Sequence, residues 1–152
     1  TLSLHDALPI FHQVNSDPAI TITVPKQLVK KLTLSTNDGD IEVKNIATTN
    51  PISLNTNDGD ININNLKALS GKINTNDGDI TINKLSSKVG FKVNTDDGDI
   101  KITQSNFTGY KLNVSDGDIK VKNTSTTDFF TENQNSSNVL TASTQDGDIK
   151  IK

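Results

Sequence analysis

The chain has 152 residues, a net charge of −3, no cysteine and no arginine, and only 32% apolar and 4% aromatic residues. That length holds one domain with a narrow aliphatic core, and the missing cysteines exclude disulfides, thiolate metal sites and thiol chemistry. All 15 cations are lysine, so the bidentate contacts by which arginine reads phosphates and bases are absent, and the composition argues against nucleic-acid binding.

Ile, Leu, Val and Phe supply 42 residues, or about 28%, above the level of about 20% where disorder becomes the default. The excess of Ile, Val, Thr and Asn favours strands and turns over helices. No apolar run approaches the ~18 residues of a membrane span. Residues 1–10, TLSLHDALPI, break the composition of everything after them. They resemble the translation of a sequencing-adapter remnant and are set aside from fold reasoning. On that reading the native N-terminus, with any signal peptide or membrane anchor, lay upstream, and residues 11–152 form a single repeat domain.

From Phe11 onward the first repeat-like stretch is Ser16-Asp17-Pro18-Ala19-Ile20-Thr21-Ile22, a degenerate copy of the later repeats. Six Asp-Gly-Asp-Ile tetrads come next, with glycines at Gly39, Gly59, Gly78, Gly98, Gly117 and Gly147. Their steps are 20, 19, 20, 19 and 30 residues. Such a period marks a repeat architecture in which no single copy can bury its apolar face alone.

Each copy alternates apolar and polar residues on both sides of its glycine, the signature of two short strands joined at the Asp-Gly-Asp corner. In the Gly78 copy the inward set is Ile73, Thr75, Ile80 and Ile82. Corresponding sets are Leu34, Ile41, Val43; Leu54, Ile61, Ile63; Val93, Ile100, Ile102; and Leu112, Val114, Ile119, Val121. A further apolar residue follows in most copies: Ile46, Leu66, Leu85 and Phe107.

Two architectures fit. Asp-Gly between alternating apolar residues is a hairpin signal, so an antiparallel meander is one. The other is an all-β solenoid, a single-stranded β-helix-like coil of six to seven rungs, in which equivalent strands of successive copies pair in parallel. The coil is preferred, because repeats in register place Ile on Ile and bury the same face of every rung. Residues 122–138 depart from the repeat as an insertion loop and carry Phe129-Phe130, the chain's only adjacent aromatics. Lys152 falls within a rung, pointing to a truncated end or an absent C-terminal cap.

The Thr-Asn-Asp-Gly-Asp-Ile-x-Ile repeat, with the lead-in Ile20-Thr21-Ile22-Thr23-Val24-Pro25, resembles a bacterial adhesin-type β-strand-repeat domain of unknown function over about residues 11–152. The resemblance implies a β-helix-like solenoid, exported or anchored at the cell envelope and in some members linked to envelope stress. It supplies no catalytic residues.

Twelve of the 16 aspartates lie in the triplets: Asp38, Asp40, Asp58, Asp60, Asp77, Asp79, Asp97, Asp99, Asp116, Asp118, Asp146 and Asp148. Stacked, they would form two carboxylate columns, which invites a calcium reading. The structural reading is that Gly supplies the turn and Asp caps the backbone. It is preferred, because two carboxylates ~5 Å apart in water repel by only about 1 kcal/mol and the spacing fits neither an EF-hand loop nor a glycine-rich nonapeptide. A catalytic carboxylate pair needs one environment unlike the rest, and six equivalent turns offer none. His5 lies in the set-aside segment and leaves only His12.

No catalytic residue, metal site or cofactor is therefore expected, with calcium kept as the second reading and a glycan-cleaving enzyme as the outlier. The expected function is a non-enzymatic, extracytoplasmic structural or recognition module at the bacterial envelope. Its partner would be an envelope glycan or protein, met along the polar rows or at Phe129 and Phe130, and the exposed end rungs are candidates for self-association.

Overall fold

The structure is a computed structural model that describes residues 31–152 in full and the backbone of strands Leu2–Leu4, Ile10–Gln13 and Ile20–Thr23. Among the described residues there is no helix. In chain order the strands are β1 (Leu2–Leu4), β2 (Ile10–Gln13), β3 (Ile20–Thr23), β4 (Leu32–Ser35), β5 (Ile41–Ala47), β6 (Ile52–Asn55) and β7 (Ile61–Asn74). They continue as β8 (Ile80–Ile82), β9 (Leu85–Asn94), β10 (Ile100–Ile102), β11 (Gly109–Val121), β12 (Thr124–Glu132), β13 (Val139–Asp146) and β14 (Ile149–Ile151).

Equivalent strands of the Asp-Gly-Asp repeats pair in parallel and in register. Ile41 pairs with Ile61, Ile61 with Ile80 and Ile80 with Ile100. On the other side of the corner, Leu34 pairs with Leu54, Leu54 with Ile73 and Ile73 with Val93. The antiparallel meander is thereby overturned for the repeats: like-on-like stacking buries each aliphatic row continuously, which a meander of these copies would not. The pairing also closes on itself. β7, β8, β10, β14, β11, β13 and β9 follow one another and β9 returns to β7, every step parallel. A seven-strand parallel barrel results, because β7 and β11 each continue from one face to the other.

The order of the repeats in this stack is not their order in the chain. Corner bridges run Asp38–Asp58–Asp77–Asp97–Asp146, and Asp116 pairs with Asp146. The sixth repeat is therefore intercalated between the fourth and the fifth. β14 lies between β10 and β11, and β13 lies between β9 and β11. The last repeat in the sequence is thus internal to the stack.

The stack ends instead on β12. The 122–138 segment, expected as a loop, contains this nine-residue strand, which runs antiparallel along β11 from Val121↔Thr124 to Tyr110↔Glu132. At the corner, Asp128 alone (φ 64°) passes opposite Val114–Gly117. The β12 backbone cuts across where every repeat turns outward, so no further Asp-Gly-Asp corner can stack on it. Interrupting an edge in this way is a device against runaway strand addition.

The core comprises the inward residues of both strand rows. The alternation identified them well: Ile61, Ile73, Ile80, Ile82, Val93, Ile100, Ile102 and Ile119 are fully enclosed, while Leu34 and Ile46 are partly buried. Phe91 and Phe107 meet edge to face at 6.4 Å, and Tyr110 is buried as well. The degenerate seventh copy does not join the stack as a rung, since its Ile20–Thr23 strand pairs antiparallel with β2 in a separate sheet. Its Asp17-Pro18-Ala19 corner and the Val24-Pro25 lead-in lie outside the described residues, as do residues 5–9 with His5. Within the set-aside segment, Leu2–Leu4 pairs antiparallel with Leu32–Leu34.

Candidate functional site

The most elaborated feature of the surface is the Asp-Gly-Asp corner. Glycine is required there twice over. At Gly78, φ is +154°, which L side chains rarely adopt, and an added Cβ would lie 2.3 Å from the carbonyl oxygen of Gly59 in the repeat beside it. Backbone stacks on backbone at this corner, and no side chain fits between.

The second aspartate of each triplet has a defined task. The N–H of Asp60 donates to Oδ1 of Asp40, that of Asp79 to Asp60, and that of Asp99 to Asp79, each at 2.8 Å. The series then follows the spatial order, with Asp148 N–H donating to Asp99 at 2.8 Å and Asp118 N–H to Asp148 at 2.9 Å. Each carboxylate thus ties its own repeat to the next through a charge-assisted bond. These six aspartates sit where the calcium reading required them, and in each of Asp40, Asp60, Asp79, Asp99 and Asp148 one oxygen accepts a backbone N–H. Among the described residues no group of three His, Cys, Asp or Glu side chains converges as a metal-ion cage would need.

The first aspartates, Asp38, Asp58, Asp77, Asp97, Asp116 and Asp146, point to solvent. Their carbonyls serve the stack, as where Gly59 N–H donates to Asp77 O and Gly78 N–H to Asp97 O. Partial desolvation, then the flanking carboxylates of Asp77 and Asp38, push the Asp58 carboxyl above its ordinary value. The opposite shift occurs at Asp148, held low by the Lys150 ammonium at 2.9 Å and by the Asp118 N–H. That same hydrogen bond to Asp148 raises the Lys150 ammonium. Both partners are largely in water, so the pair adds little to stability.

Two further ladders escaped the sequence reading. In four of the six repeats the threonine three residues before the glycine turns inward and donates to the glycine carbonyl of the adjacent repeat: Thr56 to Gly39, Thr75 to Gly59, Thr95 to Gly78 and Thr144 to Gly98, all at 3.0 Å. Thr75 is recognisable from the alternation as inward, but its partner is not. Replacing Thr75 by valine keeps the shape and strands a buried carbonyl, so a loss of about 1–3 kcal/mol in urea unfolding is expected. Asn55, Asn74 and Asn94 form the second ladder through amide-to-amide bonds of 2.7 and 2.8 Å, continued by Ser143 Oγ at 2.9 Å. These outward-facing polar residues therefore form a half-buried spine.

The cap is where the chain is least regular. Strand alternation separates the two adjacent aromatics: Phe130 meets the Tyr110 ring edge to face at 6.4 Å, whereas Phe129 is 66% exposed. Beyond β12, Thr108, Asn133, Gln134, Asn135 and Ser136 line an open hollow of about 580 Å3 with uncharged amides and hydroxyls. Thr108 Oγ1 and Ser136 Oγ lie 2.7 Å apart. Next to them Asn138, 8% exposed, donates to the carbonyls of Ser87 and Asn106 at 3.2 and 3.0 Å, while its Oδ1 is buried without a hydrogen-bond partner. Ser87 and Asn138 carry no repeat signature, so periodicity could not have flagged them.

A family model described as Toastrack DUF4097 matches residues 2–136. No curated protein and no solved structure matches the chain.

Proposed function

Because the chain belongs to the Toastrack DUF4097 family, a β-solenoid-like domain of unknown function, we propose that it is a non-enzymatic structural and recognition module of the bacterial cell envelope. In this reading the barrel is one six-rung solenoid closed by its cap, and the cap is the contact surface. The observation that carries the proposal is a division of labour. The second-position aspartates, the inward threonines and the half-buried asparagines are engaged in joining one repeat to the next. Among the described residues, only the non-repeating cap presents an exposed ring, Phe129, and it adjoins an uncharged amide-and-hydroxyl stretch at Asn133–Ser136. Neutral amides and hydroxyls bind sugar hydroxyls, and an exposed ring binds CH faces, which favours an envelope glycan over a charged ligand.

The test is retention on isolated bacterial cell walls and on glycan arrays, together with fractionation of the gene product in cells. Retention on at least one glycan class, reduced about tenfold or more by Phe129→Ala with Asn135→Ala, is the expected result; tenfold corresponds to about 1.4 kcal/mol. Recovery in the cytoplasm with no retention on any wall material would overturn it.

The calcium alternative separates cleanly from this reading. Asp79→Asn keeps an Oδ1 acceptor for the Asp99 N–H and removes a like charge, so it is expected to change stability by less than about 0.5 kcal/mol. Asp79→Ala leaves that N–H without its partner and is expected to cost about 1–2 kcal/mol. Neither melting midpoint responds to calcium or chelator. A midpoint that climbs with calcium and collapses in Asp79→Asn would make the aspartate column a metal site instead.

A further inference from the structure

We infer that this chain exchanges its C-terminal strand pair with a second copy of itself, residues 139–151 of one copy filling the gap between the fourth and fifth repeats of the other. The inference rests on the intercalated repeat and not on what the cap binds.

The ladder and corner that hold the inserted repeat use features that the other copies share. Ile149 sits between Ile100 and Ile119. Its corner is fixed by Gly98 N–H donating to Asp146 O and by Gly147 N–H donating to Asp116 O, at 2.9 and 3.0 Å. None of these bonds depends on which molecule supplies the strand. When residues 139–151 leave, β9 and β10 on one side and β11 on the other are left expecting the same partner. The fifth repeat's far edge is closed by β12, so the gap is the specific acceptor in the capped half of the molecule.

The tether is equally suggestive. Only residues 133–138 connect β12 to β13, a polar stretch whose one buried side chain, Asn138, has an unpartnered Oδ1. Opening relieves that burial. Exchange conserves every contact of the closed monomer, so it is governed by concentration and by hinge length. A tether this short gives intramolecular closure an effective concentration on the order of 1 mM, and shortening it disfavours closure onto the same chain.

Because the protein has no cysteine, a disulfide reports the strand's owner. Lys101 and Lys150 are register partners on β10 and β14, at a spacing suited to a disulfide. The Lys101→Cys and Lys150→Cys single variants would be mixed, unfolded, refolded at about 1 µM and about 1 mM, and oxidised, with circular dichroism confirming that each folds. Covalent heterodimer rising at least tenfold between the two concentrations, and rising further when Gln134 and Asn135 are deleted, is expected. Dimers that form without the 101–150 disulfide would show association through outer edges instead. That outcome overturns the inference, as does monomer at every concentration in both tether lengths.

Discussion

Gly78→Ala is expected to destabilise the fold by about 4 kcal/mol, while Gly39→Ala costs only about 1–2 kcal/mol. The two glycines have the same dihedral, φ +154° and +148°, and a non-glycine residue held in such a region costs about 1–3 kcal/mol. They differ in what a methyl group would meet. At Gly78 it lands 2.3 Å from Gly59 O and 2.7 Å from Gly59 C, both rigid backbone, whereas at Gly39 the nearest atom is Thr36 Oγ1 at 3.8 Å. Forcing stacked backbones apart adds an overpacking cost of about 1–3 kcal/mol, and it does so only where another repeat lies underneath. Urea unfolding of both variants separates the contributions. Equal losses would mean that dihedral strain alone accounts for the glycine and that the close stacking at the corner is relaxed in solution.

Removing residues 139–152 is expected to unfold the fifth repeat and the cap as well. In a sequential stack, deleting the last repeat would leave its predecessors intact, because each unit touches only its neighbours. Here the deletion takes out Leu140 and Ile149, both fully buried, and with them both ladders that hold β11 to the rest of the barrel. Each such aliphatic loss costs about 2–5 kcal/mol even as a single truncation to alanine. β11 and β12 would then be left as a lone hairpin, which is marginal in water. Hydrogen exchange reads the outcome directly: amides of Gly109–Val121 and Thr124–Glu132 lose protection, while those around Ile61 and Ile80 keep theirs. Retained protection over Gly109–Val121 would mean that the fifth repeat packs on the fourth when the space between them is empty.

The strand positions and the core were legible because period-two alternation and burial have the same physical cause. Ile73, Thr75, Ile80 and Ile82 are recognisable from their spacing alone and are all buried. The corner glycines were legible for a related reason, since few other residues tolerate that turn. The stacking order was not. A pattern repeated six times states what each repeat resembles and says nothing about which repeat lies beside which. The connection from Ile102 to Leu112 is ten residues, the same as from Ile63 to Ile73, and ten residues reach two rungs as readily as one. The cap was concealed differently: Thr124–Glu132 alternates without an apolar face, because β12 gains its place by backbone pairing and by Phe130 alone. The glycine-carbonyl bonds of the threonines were hidden because a hydroxyl on an inward position reads, in sequence, as a tolerated substitute for valine. Val114 occupies that position in the fifth repeat, and nothing in the structure explains the exchange.

Intercalation also changes how the molecule would carry a load. Tension applied at the C-terminal end of a sequentially stacked coil peels its last turn away along one ladder of hydrogen bonds. Tension applied at Lys152 is taken up by β14 and then β13, each gripped on both sides. Two ladders must shear together before the strand moves. A tether attached there would be held by the middle of the stack, as a rope end is held when tucked under its neighbouring turns.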